Sequence, residues 1–229
     1  MALTLFHRGV IPLPIKIFYT LFVAVLMLVF WAHFGPTHFL WASDIALFAM
    51  LIALWRESRL LTSMVAVAVL LPELAWNLDF FTRLITGRGL TGLDATAYMF
   101  NPAQPLWLRG LSLFHVFLPL LLWMVYRLGF ERRALLAATL LCWVVLPVAY
   151  LLTDQAKNIN WVFGWSGQPQ TWLPAPLYLS GLMLLLPLCA YLPTHLALQK
   201  AFARDQRIIG WTWVSASPQR CGGTFKPRA

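Results

Sequence analysis

Four side chains could do chemistry in a chain otherwise poor in polar groups: Ser43, Asp44, Glu73 and His115. A serine hydroxyl becomes a nucleophile when a base takes its proton, and a histidine oriented by a carboxylate is the usual base. Ser43 as nucleophile, His115 as base and Glu73 or Asp44 as the orienting acid would complete such a set. Metal chemistry is a second option: His33, His38, His115, Asp44 and Glu73 are suitable ligands for Zn²⁺ or Fe²⁺, and a bound metal could activate water. No HxxxH or HExxH spacing places two of them on one helix, so the ligands would have to come from three or four elements. The third option is a polar network without chemistry, or a site for a small ligand or lipid head group, of the kind that contributes about 0.6–2 kcal/mol per interhelical contact. Asn77 shares a helix face with Glu73, and Ser112 shares one with His115. Asn77, Trp76 and Asn160 are the candidates for substrate contact, and no motif names a cofactor.

The elements that must position these residues are membrane spans. Hydrophobic residues fill 60% of 229 positions and charged residues 11%, where a soluble domain carries about 25% charged residues. The mean hydropathy is +0.72. Six runs approach the roughly 20 apolar residues that a helical span needs: 15–34, 38–55, 60–80, 108–128, 134–152 and 174–198. The expectation is therefore an all-α polytopic transmembrane bundle of six helices over residues 1–204, with a basic, disordered tail over 205–229.

Charge orients the bundle. With six crossings, one side collects thirteen of the 17 basic residues: Arg8, Lys16, Arg56, Arg59, Arg127, Arg132, Arg133, Lys200, Arg204, Arg207, Arg220, Lys226 and Arg228. The other side collects Arg83, Arg88, Arg109 and Lys157. That asymmetry puts both termini in the cytoplasm. The net charge of +9 is thereby a topology signal and not a nucleic-acid footprint, because it recurs in short segments between apolar runs. The partners implied are the bilayer and a lipid substrate, and the compact loops and short termini suggest a bacterial inner membrane. Cys142, Cys189 and Cys221 have no CxxC spacing and indicate neither a disulfide framework nor a zinc knuckle. The first apolar run ends in Phe30-Trp31-Ala32-His33-Phe34 and not in a small-residue cleavage site, so it reads as a retained helix.

Within this frame Asp44 lies roughly 9 Å below the outer surface, and Glu73 and His115 lie roughly 10 Å below it, at about 1.5 Å of rise per residue. Ionisable groups at such depth are functional candidates by default. The inner half of the bundle holds little besides His195, so a one-sided, outward-facing pocket is expected among the second, third and fourth helices. The outer segments 81–107 and 153–173 would cap it, the former as an interfacial or re-entrant piece. Pro72, Pro119, Pro147 and Pro187 interrupt helices, and Pro119 frees the carbonyl of His115.

The layout resembles the six-helix membrane acyltransferases and lipid hydrolases grouped around the androgen-induced-gene proteins and the bacterial YwaF-type proteins. These are similar in carrying a small hydroxyl or thiol residue in the second helix and a histidine in the fourth. The matching positions are Ser43, in Trp41-Ala42-Ser43-Asp44, and His115, in Ser112-Leu113-Phe114-His115. The resemblance implies acyl chemistry on a lipid ester. The alkaline ceramidase and progestin-receptor-like hydrolases are less similar, because their paired HxxxH in the last helix is absent.

Overall fold

Proline, glycine and a few polar side chains decide where each apolar run begins and stops. In the computed structural model, which describes residues 10–90, 95–165 and 169–202, helix α1 (Leu13–Phe34) follows Pro12 and carries Pro14 in its first turn, where a missing N–H costs no hydrogen bond. Gly35 ends it at φ 78°, a left-handed conformation that glycine adopts freely. A 3₁₀ turn over Pro36–Leu40 and an extended Trp41 follow, so α2 (Ala42–Arg56) starts later than its hydropathy suggests. Glu57, also left-handed, closes α2. Ser58 opens α3 (Arg59–Thr86) by accepting a hydrogen bond from the Leu61 N–H at 3.3 Å.

Three helices complete the described chain: α4 (Leu106–Leu128), α5 (Ala134–Leu152) and α6 (Ala175–Phe202). The first is broken, running as 3₁₀ helix over Ser112–Phe117 between two α-helical pieces. The last contains a π-turn over Pro187–Tyr191, where proline removes a helical hydrogen bond. The described residues contain helices, turns and loops and no strand.

Five of the helices, α1, α3, α4, α5 and α6, are long and apolar enough to cross a membrane. The exception is α2, whose 15 residues rise about 22 Å against a hydrocarbon core of about 30 Å. The expected second span of 38–55 gives up its first four residues to the turn and to Trp41. The expected third span, in contrast, runs on through residues 81–86. The tail expected over 205–229 lies outside the described residues.

Burial is inverted relative to a protein in water. Leu26, Phe30, Leu54, Val67 and Met124 are fully buried, but so are Asp44, Thr62, Ser63 and Asp79. Large apolar side chains cover the outside, with Ile85 82%, Leu151 76% and Phe18 66% exposed. Such a surface is stable where hydrocarbon is the solvent. The most enclosed of the five long helices is α3 and the least enclosed is α6. The half of α3 that carries Glu73 and Trp76 faces an interior, and that interior is a cavity.

Candidate functional site

A chamber of about 1350 Å³ is walled by α2, α3, α5 and α6, with the 3₁₀ segment of α4 on one side. Ser43, Asp44, Glu73, Trp76, His115 and Asn160 all line it. Residues from four separate stretches of sequence thus meet at one place.

At its centre is a carboxylate–imidazole pair. Glu73 Oε2 lies 2.5 Å from His115 Nδ1, and both side chains are about nine-tenths buried. The His115 ring is stacked on Trp76, centroids 4.4 Å apart. The hydrogen bond directs Nδ1 toward Glu73 and leaves Nε2, on the other edge of the ring, without a hydrogen-bond partner among the described residues. A histidine so held is positioned as a proton acceptor.

The broken helix explains how His115 reaches this position. Pro119 has no N–H to give the carbonyl four residues back, and that carbonyl belongs to His115. Asn77 Nδ2 donates to it instead, at 2.9 Å, and also to the Glu73 carbonyl at 2.8 Å. A single amide thereby joins the backbone of the acid to the backbone of the base. Asn77, a candidate for substrate contact by sequence, has its amide hydrogens committed to this task.

Ser43 lies in the first turn of α2 and lines the same chamber, but it makes no hydrogen bond to His115. The N–H groups of Ser43 and Asp44 belong to the first turn, where no intrahelical acceptor is available. Ala42, one residue earlier, donates its N–H to Asn160 Oδ1 at 2.8 Å, while Asn160 Nδ2 donates to the Leu40 carbonyl at 2.7 Å. Asn160 therefore clamps the start of α2, and its partners are backbone groups. Asp44 is 2% exposed; its Oδ2 is 3.8 Å from His38 Nε2, and its Oδ1 has no hydrogen-bond partner among the described residues.

The loops after α3 and after α5 both contribute side chains to the chamber wall. Asp79, fully buried, accepts from the Leu90 N–H at 2.6 Å and from the Thr96 N–H and hydroxyl at 2.9 and 2.6 Å, which folds the chain after α3 back on itself. The following 3₁₀ turn, Ala97–Phe100, carries Tyr98 into the chamber wall. Burial pushes the Tyr98 phenol up to about 12, and the carboxylates of Glu73 and Asp44 add to this against the neighbouring Ser112 and Trp76. It is therefore a neutral hydroxyl at physiological pH, placed among the site's acids. Beyond the unusual apolarity of its loop, nothing in the sequence marks Tyr98 as a site residue. The 153–173 segment contributes Lys157, Asn160, Trp161, Trp165 and Trp172.

Deeper in, the chamber is lined by Leu141, Val145, Leu182, Leu185 and Leu186, all apolar. Polar groups line one end of the chamber and hydrocarbon side chains the other. Among the described residues no three His, Cys, Asp or Glu side chains gather closely enough to hold a metal ion. His33 in particular bonds the Val29 carbonyl of its own helix at 2.9 Å. No protein-family model, no curated protein and no solved structure matches this chain.

Proposed function

We propose that this protein is a six-span membrane enzyme, with both termini cytoplasmic, that hydrolyses or transfers the acyl group of a lipid ester in the outer leaflet. The observation that carries the reading is the Glu73–His115 hydrogen bond at 2.5 Å, which leaves His115 Nε2 unengaged in a chamber that also holds a serine. In the reaction, the Ser43 Oγ attacks the ester carbonyl while Nε2 takes the hydroxyl proton. Glu73 stabilises the imidazolium that results. The proton passes to the leaving alcohol, giving an acyl-serine, which water or an acceptor alcohol then resolves by the reverse sequence. The free N–H groups in the first turn of α2 are suited to stabilise the oxyanion, since that turn carries the positive end of the helix dipole. The apolar lower wall suits the acyl chain.

Ser43 must approach Nε2 for this to happen, and a ligand entering between α2 and α4 supplies the occasion. The missing Ser43–His115 hydrogen bond favours the alternative, a binding protein without turnover, and one experiment separates the two. The full-length protein in lipid nanodiscs is treated with a fluorophosphonate, which labels activated serines, and the adduct is located by mass spectrometry. Modification of Ser43 that disappears in His115→Ala is the expected result. Labelling elsewhere, or none together with lipid-ester turnover that survives Ser43→Ala, would overturn the assignment.

A further inference from the structure

An ester held between Ser43 and His115 trails a hydrocarbon chain, and that chain needs a path between the chamber and the bilayer. Part of the wall is closed: Val69, Cys142 and Leu146 line the chamber and are buried. The side shared by α3 and α6 differs. Leu177 and Leu185 of α6 line the chamber and yet are 56% and 58% exposed, and Leu71 of α3 does so at 40%. Gly181 stands between the two leucines on one face of α6, at i, i+4 spacing, and also lines the chamber. A Cβ added to it would meet no atom within 4 Å.

Prolines account for this opening. Pro187 has no N–H to give the Met183 carbonyl, four residues back. Trp143 of α5 donates its indole N–H to that carbonyl instead, at 3.0 Å, while Tyr178 donates to the Trp161 carbonyl at 3.1 Å. The Ala175–Leu186 part of α6 is thereby fastened to α5 and to the loop after it. It is the π-turn Pro187–Tyr191 that packs on α3. Burial follows the same division, with no buried residue in Ala175–Leu186 but Ala190, Tyr191, Thr194 and His195 buried beyond it. On the facing stretch of α3, Ala68, Pro72 and Ala75 present little bulk to the chamber.

We infer that the slot between α3 and the Ala175–Leu186 part of α6 is a lateral portal that holds one hydrocarbon chain of a bilayer lipid. Its edges carry no charged side chain, so it suits the chain and not a head group. From Leu177 to Cys189, the length of α6 that lines the chamber, it runs roughly 18 Å at about 1.5 Å of rise per residue. That is close to one leaflet of a hydrocarbon core about 30 Å thick. The slot is continuous with the chamber, so a chain lying in it reaches both the bilayer and the wall beside Ser43. The inference rests on the ligand being a lipid and not on the ester-cleaving step.

The test uses the full-length protein in nanodiscs containing a trace of a diether phosphatidylcholine with a diazirine in one chain, a lipid with no ester to cleave. After illumination, adducts are mapped by mass spectrometry. Wild type is expected to carry adducts on the buried wall, at Val69 and Leu146, as well as on the outer face, at Phe18 and Leu151. Gly181→Phe fills the slot without a clash, and should cut the interior adducts about ten-fold or more while the outer ones stay. Leu185→Trp, one turn along, is a second plug should the first variant fail to fold. Gly110→Phe, at a helical glycine equally open but away from the chamber wall, should change neither set. Interior adducts that survive both plugs overturn the inference. So does a wild type labelled on its outer face alone, the slot then being the seat of another protein helix. Loss of interior adducts in Gly181→Phe, in a protein without Ser43-dependent turnover, would keep the portal and remove the acyl chemistry. Ser43-dependent turnover with interior adducts indifferent to the plugs would do the reverse.

Discussion

A histidine in an apolar bundle is usually a satisfied core residue, and two features separate His115 from that ordinary case. Its ring is fixed by Glu73 and Trp76, and its main-chain carbonyl is held by Asn77. Glu73→Gln keeps the shape of the pair but removes the charge that stabilises the imidazolium. Turnover of a lipid ester is expected to fall about 10²-fold or more with little change in melting temperature. Equal activity in the variant would show that the carboxylate is only structural. Asn77 acts through others, and its replacement separates positioning from binding. Asn77→Leu strands the His115 carbonyl, so unfolding in detergent should become easier by about 1–3 kcal/mol. At the same time kcat should drop while KM holds, because the Asn77 amide nitrogen is bonded to two main-chain carbonyls. A parallel rise in KM would place Asn77 in contact with substrate after all.

At the scale of the helix, the break in α4 matters more than its length. Pro119→Ala restores an N–H that can bond the His115 carbonyl, in competition with Asn77, and straightens Ser112–Phe117 toward regular α-helix. The expected outcome is equal or greater thermal stability with turnover reduced at least about ten-fold, a trade of activity for regularity. Another element-level device sits where α1 and α2 meet at their far ends. Glu57 receives the Val10 and Ile11 N–H groups at 2.9 and 3.1 Å and the Lys16 ammonium at 2.9 Å. Partial burial alone would raise its pKa, but Lys16 and the two N–H groups outweigh this and hold it below the usual 4.5. A depressed carboxylate stabilises the fold fully above its unfolded value and loses that contribution as pH falls through the folded one. The difference in melting temperature between wild type and Glu57→Gln should accordingly be present at neutral pH and shrink on acidification below 4.5. The sequence shows such elements unevenly. Hydropathy located every long helix, and Pro119 pointed to the freed carbonyl. The late start of α2 was hidden because Phe39, Leu40 and Trp41 are as apolar as the helix they precede. Tyr98 was hidden for a different reason: it enters the chamber because Asp79 holds Leu90 and Thr96, 11 and 17 residues away, and spacing along one helix cannot reveal such a tie.

For the molecule as a whole, the open matter is whether the short α2 crosses the bilayer. Its two ends support a full crossing. Glu57, just past the end of α2, is bonded to Lys16 at the start of α1, and Arg127 near the end of α4 donates to the Val10 carbonyl at 2.9 Å. Arg59 joins the same end through the Leu128 carbonyl at 3.2 Å. The opposite end holds Lys157 on Thr37 and Asn160 on the first turn of α2. The chain between Pro36 and Arg56 therefore runs from one face of the bundle to the other, the 3₁₀ turn supplying the depth that the 15-residue helix lacks. Among the described residues Lys16, Arg59 and Arg127 lie on the first of these faces and Lys157 on the other. Single cysteines at Thr37 and Arg56, in a chain whose three native cysteines are replaced, test this directly. A membrane-impermeant maleimide added to intact cells should label the cysteine at position 37 and spare the one at 56 until the membrane is opened. If both react alike, α2 does not cross, the two faces lose their charge segregation, and Ser43 no longer sits beneath the outer surface where the chemistry requires it.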